Sequence, residues 1–169
     1  MKKLAENQKS KTRKIEEIFS DYKTTSNIAD AQITKMNLNK KLNTLEIGLY
    51  SDEYIEIKEI WYFEKFLRER FRFEQVHILI NYKDGTYIKR VDDEWKNIIC
   101  FMAHKYPLMK PLLLLKSTIE MNEKNLNIYM QIKGAEFLKA RKLDRELENV
   151  IANLFGKRYN INIEERLAE

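Results

Sequence analysis

The sequence predicts an α+β fold of two small modules, each with a strand-helix-strand core. Three observations predict it. Runs that alternate apolar and polar residues are each followed by stretches with apolar residues at helical spacing. The pattern occurs twice: Leu45 to Leu49, a Phe-rich stretch ending at Phe71, then Val76 to Ile80; and Leu126 to Met130, a longer stretch ending at Phe155, then Tyr159 to Ile163. Four Gly and two Pro in 169 residues leave little loop, and 44% hydrophobic residues suffice for a packed core.

Residues 1–14 read as a basic, flexible arm. The first module covers 15–88. Ile15, Ile18, Phe19 and Tyr22 recur at helical spacing and predict a short amphipathic helix, which Thr24-Thr25-Ser26-Asn27 ends. Ile33 to Leu38 predicts a strand, and Leu45, Ile47 and Leu49 alternate as a half-buried strand should. The polar segment Asn39 to Asn43 joins them as a hairpin. Ile60, Phe63, Phe66, Leu67 and Phe71 form the apolar face of a helix, with Glu64, Lys65, Arg68 and Glu69 mostly opposite. Val76, Ile78 and Ile80 give the next strand, and Lys83-Asp84-Gly85-Thr86 a turn.

The second module covers 89–165. Asp92-Asp93 is placed to cap a helix carrying Trp95, Ile98, Ile99 and Met102. That helix ends near His104, because Pro107 disfavours helical geometry at Tyr106. Leu108 to Lys116 predicts another helix, with Pro111 in its first turn. Leu126, Ile128, Met130 and Ile132 alternate through a strand. Gly134 then leads into one long helix, Ala135 to Phe155, which Gly156 closes. Tyr159, Ile161 and Ile163 make the last strand. From Glu164 the sequence reads as the start of a charged helix, with 166–169 opening a linker to further domains.

The net charge of +5 is local. Lys2, Lys3, Lys9, Lys11, Arg13 and Lys14 face only Glu6, which accounts for the whole excess and leaves the remainder neutral. One cysteine excludes an internal disulfide framework and fits a reducing cytoplasm. Within Ile98-Ile99-Cys100-Phe101-Met102 it reads as a buried thiol. The longest apolar run, Leu112 to Leu115, is too short to span a bilayer, so no membrane is expected.

Catalytic chemistry finds no constellation. One Cys and two distant His cannot build a zinc or iron site, and no cofactor is expected. Asp92-Asp93-Glu94 reads as a helix N-terminus and not as a magnesium site. There is no P-loop, dinucleotide glycine pattern or nucleophile elbow. Lys133, Lys139, Arg141, Lys142 and Arg145 gather around the start of the long helix, where backbone N–H groups beside Gly134 offer themselves to an anion. They are the candidate anion or nucleic-acid residues, weighed against an ordinary solvated helix face. Tyr129 and Tyr159 read as packing residues more than as stacking platforms.

Specific words carry a resemblance. Glu94-Trp95-Lys96-Asn97-Ile98-Ile99, His104-Lys105-Tyr106-Pro107-Leu108-Met109-Lys110-Pro111 and Ile132 through Lys142 resemble the N-terminal region of Gram-positive PolC-type DNA polymerase III alpha subunits. Asn37 to Lys41 and Ser51 to Ile60 resemble the clostridial branch. The likeness runs from about Ile15 to Glu165. It implies two N-terminal domains of a DNA-directed DNA polymerase with 3′–5′ exonuclease, lying ahead of an OB-fold, a PHP domain with the inserted exonuclease, and the polymerase core. No catalytic residue is carried over. In element order, helix-helix-strand-helix-strand, the second module also resembles the truncated KH-like domain of the clamp-loader tau subunit. It lacks the GXXG loop with which KH domains clamp nucleic acid.

The resemblance implies a protein-interaction region that docks to a replisome component, the tau subunit first. Pro107, Leu108, Pro111 and Leu112 are the candidate partner-binding residues. The alternative is a single-stranded nucleic-acid module using the basic arm and the Lys139 to Arg145 face.

Overall fold

The computed structural model describes residues 13–83 and 91–167. Residues 1–12 of the expected arm at 1–14, residues 84–86 of the expected turn and the final two residues lie outside them.

After a short opening strand, the first unit runs helix, strand, strand, helix, strand. A two-residue strand β1 (Arg13–Lys14) leads into a single helical turn α1 (Ile15–Ile18). After a 3-10 turn over Asn27–Asp30, β2 (Gln32–Asn39) and β3 (Thr44–Ser51) form the expected antiparallel hairpin. Helix α2 (Ile57–Phe71) crosses over to β4 (Gln75–Tyr82), which lies parallel to β3 in a sheet of order β1-β2-β3-β4.

Pairing sets the core. Leu45, Ile47 and Leu49 lie beside Val76, Ile78 and Ile80, so one face of the sheet is continuously apolar. Ile60, Phe63 and Leu67 of α2 are buried with it. α1 is shorter than the spacing predicts because Phe19 leaves helical geometry, with φ −112° and ψ 64°. Phe19 and Tyr22 then both reach Phe63 and Phe66, with ring centroids 4.8 to 6.5 Å apart. α2 stops at Arg72, which is left-handed at φ 56°. There the Asn43 side-chain amide donates to the Arg72 carbonyl at 2.7 Å, fastening the hairpin loop to the helix end.

The second unit repeats that order. α3 (Trp95–Ala103) and a π-helical turn (Lys110–Leu114) precede the antiparallel hairpin β5 (Ser117–Met121) and β6 (Asn125–Met130). Helices α4 (Ala135–Ala140) and α5 (Leu143–Phe155) cross over to β7 (Asn160–Glu165), parallel to β6. Each unit is therefore a helix, a hairpin and a parallel crossover. The repeat seen in the sequence is a repeat of topology.

Four local expectations change. The segment Leu108 to Lys116 makes only one π-helical turn, because the Trp95 indole N–H takes the Leu113 carbonyl at 3.1 Å and Ser117 bonds the same oxygen. Beyond it β5 adds a strand to the helix-helix-strand-helix-strand order. Its residues are exposed or only half-buried, so its apolar signal is weak. Asp92 and Asp93 do not cap α3: the N-cap is Glu94, without a side-chain cap, and the Asp92 carboxylate accepts from its neighbour Asp93 N–H. Glu164 and Glu165 belong to β7 and not to a helix, since they continue the pairing opposite Tyr129 and Met130.

The expected long helix is two. Lys142 is left-handed at φ 57° and separates α4 from α5. Helical phase explains the break. Leu143, Leu147, Ile151 and Leu154 are buried along one stripe of α5, but Leu138 lies five residues before Leu143, roughly 140° away around a continuous helix. Unbroken, the helix would align Arg141, Lys142 and Arg145 with Leu138. The turn at Lys142 resets the phase, so both stripes face the core.

The two units share one core. α5 packs along β4 of the first sheet, and the buried apolar residues of both units form a single cluster. Gly156 closes α5 at φ 71° against that strand; a Cβ there would lie 3.1 Å from Asn81 Oδ1 and 3.2 Å from the Ile80 carbonyl. Among the described residues no helix is long and apolar enough to cross a membrane.

Candidate docking cleft

Where the units meet they leave a cleft of about 570 Å³, within the range of small-ligand and side-chain pockets. Four elements build it. On α2 the core stripe Ile60-Phe63-Leu67 is flanked one residue on by a second stripe, Trp61-Glu64-Arg68, which lines the cleft. α3 contributes its last turn and the residues beyond it, where the N–H groups of Lys105 and Tyr106 both return to the Met102 carbonyl. That tight winding brings His104, Lys105 and Tyr106 to the edge of the cleft. From α5 comes the stripe Glu146-Asn149-Val150-Asn153-Leu154, and from β4 the stretch Gln75 to Ile78.

The floor is apolar and the walls are polar. Val76, Ile78, Met102 and Leu154 are buried beneath it. Trp61 and His104 stack with ring centroids 4.0 Å apart and planes 17° apart, joining α2 to the end of α3. Lys65 lies 5.3 Å from the Trp61 ring centre, and Lys105 the same distance from that of Tyr106. Arg68 approaches Glu64 at 3.8 Å.

Burial decides the ionisation of Glu64. Its side chain is only 18% exposed, and the cost of desolvating its charge pushes its pKa up to about 7, against the pull of Arg68 and Lys105. His104 is lowered from the usual histidine range, first by burial and then by Lys110, Arg68 and Lys65. On the α2–α3 side Arg68 and Lys105 line the cleft beside Glu64, with Lys65 and Lys110 near His104, while Glu74, His77 and Glu146 line it from the β4–α5 side. No described group of three or more His, Cys, Asp or Glu could hold a metal ion.

Residues 14–82 match the family model of DNA polymerase III polC-type N-terminus I, and residues 93–169 that of N-terminus II. The chain belongs to the N-terminal region of PolC-type DNA polymerase III. A DNA polymerase III PolC-type from Clostridium perfringens (strain 13 / Type A) is 27% identical over 152 residues. The match covers 84% of this chain and 10% of that protein, so the chain spans about a tenth of the curated relative it matches.

In the N-terminus II unit the five candidate cations Lys133, Lys139, Arg141, Lys142 and Arg145 are all exposed. Lys139, Arg141, Lys142 and Arg145 flank the α4–α5 break while Lys133 precedes α4, so the five do not line one helix face. The backbone N–H groups beside Gly134 are already occupied: Glu165 Oε1 accepts from Gly134 at 2.9 Å and from Ala135 at 3.0 Å. Those two bonds hold the Glu165 carboxyl below its ordinary value. The anion expected at this helix start is the chain's own. Tyr129 is half-buried beneath Arg166, 3.5 Å from its ring centre, and Tyr159 is buried. Cys100 is half-buried rather than enclosed.

Of the candidate partner-binding residues, Pro107, Leu108 and Pro111 are exposed beside the cleft-lining Tyr106, with Leu108 at 54%. Leu112 instead packs toward Gly134, 3.1 Å from where a Cβ would stand. Sequence reasoning did not single out Trp61, Glu64, Arg68 or His104 as a site. The polar-aromatic stripe beside the α2 core stripe was visible, but only the packing of α5 on β4 makes it a wall.

Proposed function

We propose that the chain is a non-catalytic docking region of a replicative DNA polymerase, a PolC-type polymerase III alpha subunit. In this reading it acts in DNA replication in the cytoplasm, without a cofactor of its own, and binds another replisome protein. The clamp-loader tau subunit is the first partner we name. The observation that carries the reading is the cleft at the meeting of the two units, with an apolar floor and opposed charged walls. Family membership supports the setting, and the neutral charge of the chain beyond residue 14 favours a protein partner over a polyanion. Calorimetric titration of the whole chain with tau and with other replisome subunits tests this. A saturable complex with one of them is expected, and heat of dilution alone with all of them would refute it.

A second reading rests on the basic arm and on the exposed cations Lys139, Arg141, Lys142 and Arg145 around the α4–α5 break. It makes that surface a contact for single-stranded DNA. Binding would then weaken steeply with salt and drop when Lys139, Arg141 and Lys142 become Ala; salt-insensitive binding, or none at low salt, excludes it.

A further inference from the structure

We infer that the cleft between the two units receives an amphipathic peptide segment of a partner protein, with an apolar side chain on the floor and carboxylates against Arg68 and Lys105. The inference rests on the docking reading and adds the chemistry of the segment. Charge complementarity carries it. Arg68 and Lys105 line the cleft from α2 and the end of α3, with Lys65 and Lys110 close to His104 behind them. The β4–α5 wall bears Glu74, His77 and Glu146. A nucleic-acid strand carries a phosphate on every nucleotide and cannot keep them all from Glu74 and Glu146. A peptide can set its carboxylates on one wall and its apolar side chain between the two. One face of Trp61 is already covered by His104.

Glu64 makes the site responsive to pH. Ionised, it competes for Arg68 at 3.8 Å; protonated, it leaves Arg68 to an incoming carboxylate. Arg68, Lys105 and His104 face Glu64, with Lys65 and Lys110 near His104 and with Glu74, His77 and Glu146 across the cleft; His104, held below the usual histidine range, gains its charge only as pH falls. Affinity for an acidic segment therefore rises as pH is lowered through about 7.

Fluorescence anisotropy on the whole chain tests the proposal. The probe is a labelled, amidated peptide of Leu and Glu whose Leu residues share one helical face. The controls are the same peptide with Lys for Glu and an oligothymidine. Binding of the Leu/Glu peptide is expected to weaken about tenfold in Lys105→Glu, and similarly in Asn149→Trp, which fills the cleft from an exposed position of α5. No binding, binding that both variants leave unchanged, or equal binding of either control through Lys105 would overturn it. Titrating tau against Lys105→Glu separates the two readings. If tau binds wild type and variant alike, the cleft proposal fails and docking stands. If no replisome subunit binds while the Leu/Glu peptide does, docking fails and the cleft proposal stands.

Discussion

At the scale of single residues, Glu64 and Glu165 show how environment divides two carboxylates. Glu165 accepts two backbone N–H bonds and is held acidic, while Glu64 is desolvated and pushed up to about 7. For Glu64 the folded pKa lies above the unfolded one, so the folded state binds the extra proton between the ordinary value of 4.5 and about 7. Its contribution is fully present below the lower value and is lost as pH rises through the upper. Glu64→Gln should therefore flatten the fall in stability between those values, and raise stability at pH 8 by on the order of 2 kcal/mol. Urea unfolding of both proteins across that range checks it; parallel pH curves would show that Glu64 is not desolvated. None of this was legible in the sequence, where Glu64 sat on the polar side of an amphipathic helix. Its burial comes from α3 and the chain beyond it, which no local pattern announces.

At the scale of elements, α2, β3, β4 and β6 were legible because each carries a strong single period on one face. The elements misjudged are those whose limits tertiary contacts set. β5 is a half-buried edge strand, and the π-helical turn before it ends where the Trp95 indole and the Ser117 hydroxyl take the Leu113 carbonyl. The α4–α5 break was readable in principle, since Leu138 and Leu143 are out of phase. Lys142 tests it by sign. In a continuous helix Lys142→Gly would cost about 1 kcal/mol. In the left-handed turn it should stabilise by roughly 0.5–1 kcal/mol, because glycine removes the Cβ conflict at φ 57°. Thermal or denaturant midpoints of Lys142→Gly and Lys142→Ala decide between them.

At the scale of the whole molecule, a duplicated helix-hairpin-crossover unit is joined into one body by laying α5 of the second copy on β4 of the first. The duplication was visible in the sequence. The seam was not, because α5's Leu147-Ile151-Leu154 stripe reads like any helix face and does not say which surface it meets. Gly156 is the narrowest point of that seam. Gly156→Ala places a methyl against the Ile80 carbonyl and in a left-handed conformation, and should cost about 1–3 kcal/mol. Fluorescence of single-tryptophan variants keeping Trp61 or Trp95, one in each unit, should also lose its coincident unfolding in that background.

The seam leaves the cleft, and in the reading proposed above a partner occupies it. Hydrogen exchange of the whole chain, alone and saturated with the tau subunit, tests it most directly. New protection is expected in the last turns of α2, at 101–106 and in α5. Protection confined to 139–145, or exchange unchanged in those three segments with tau bound, would contradict it.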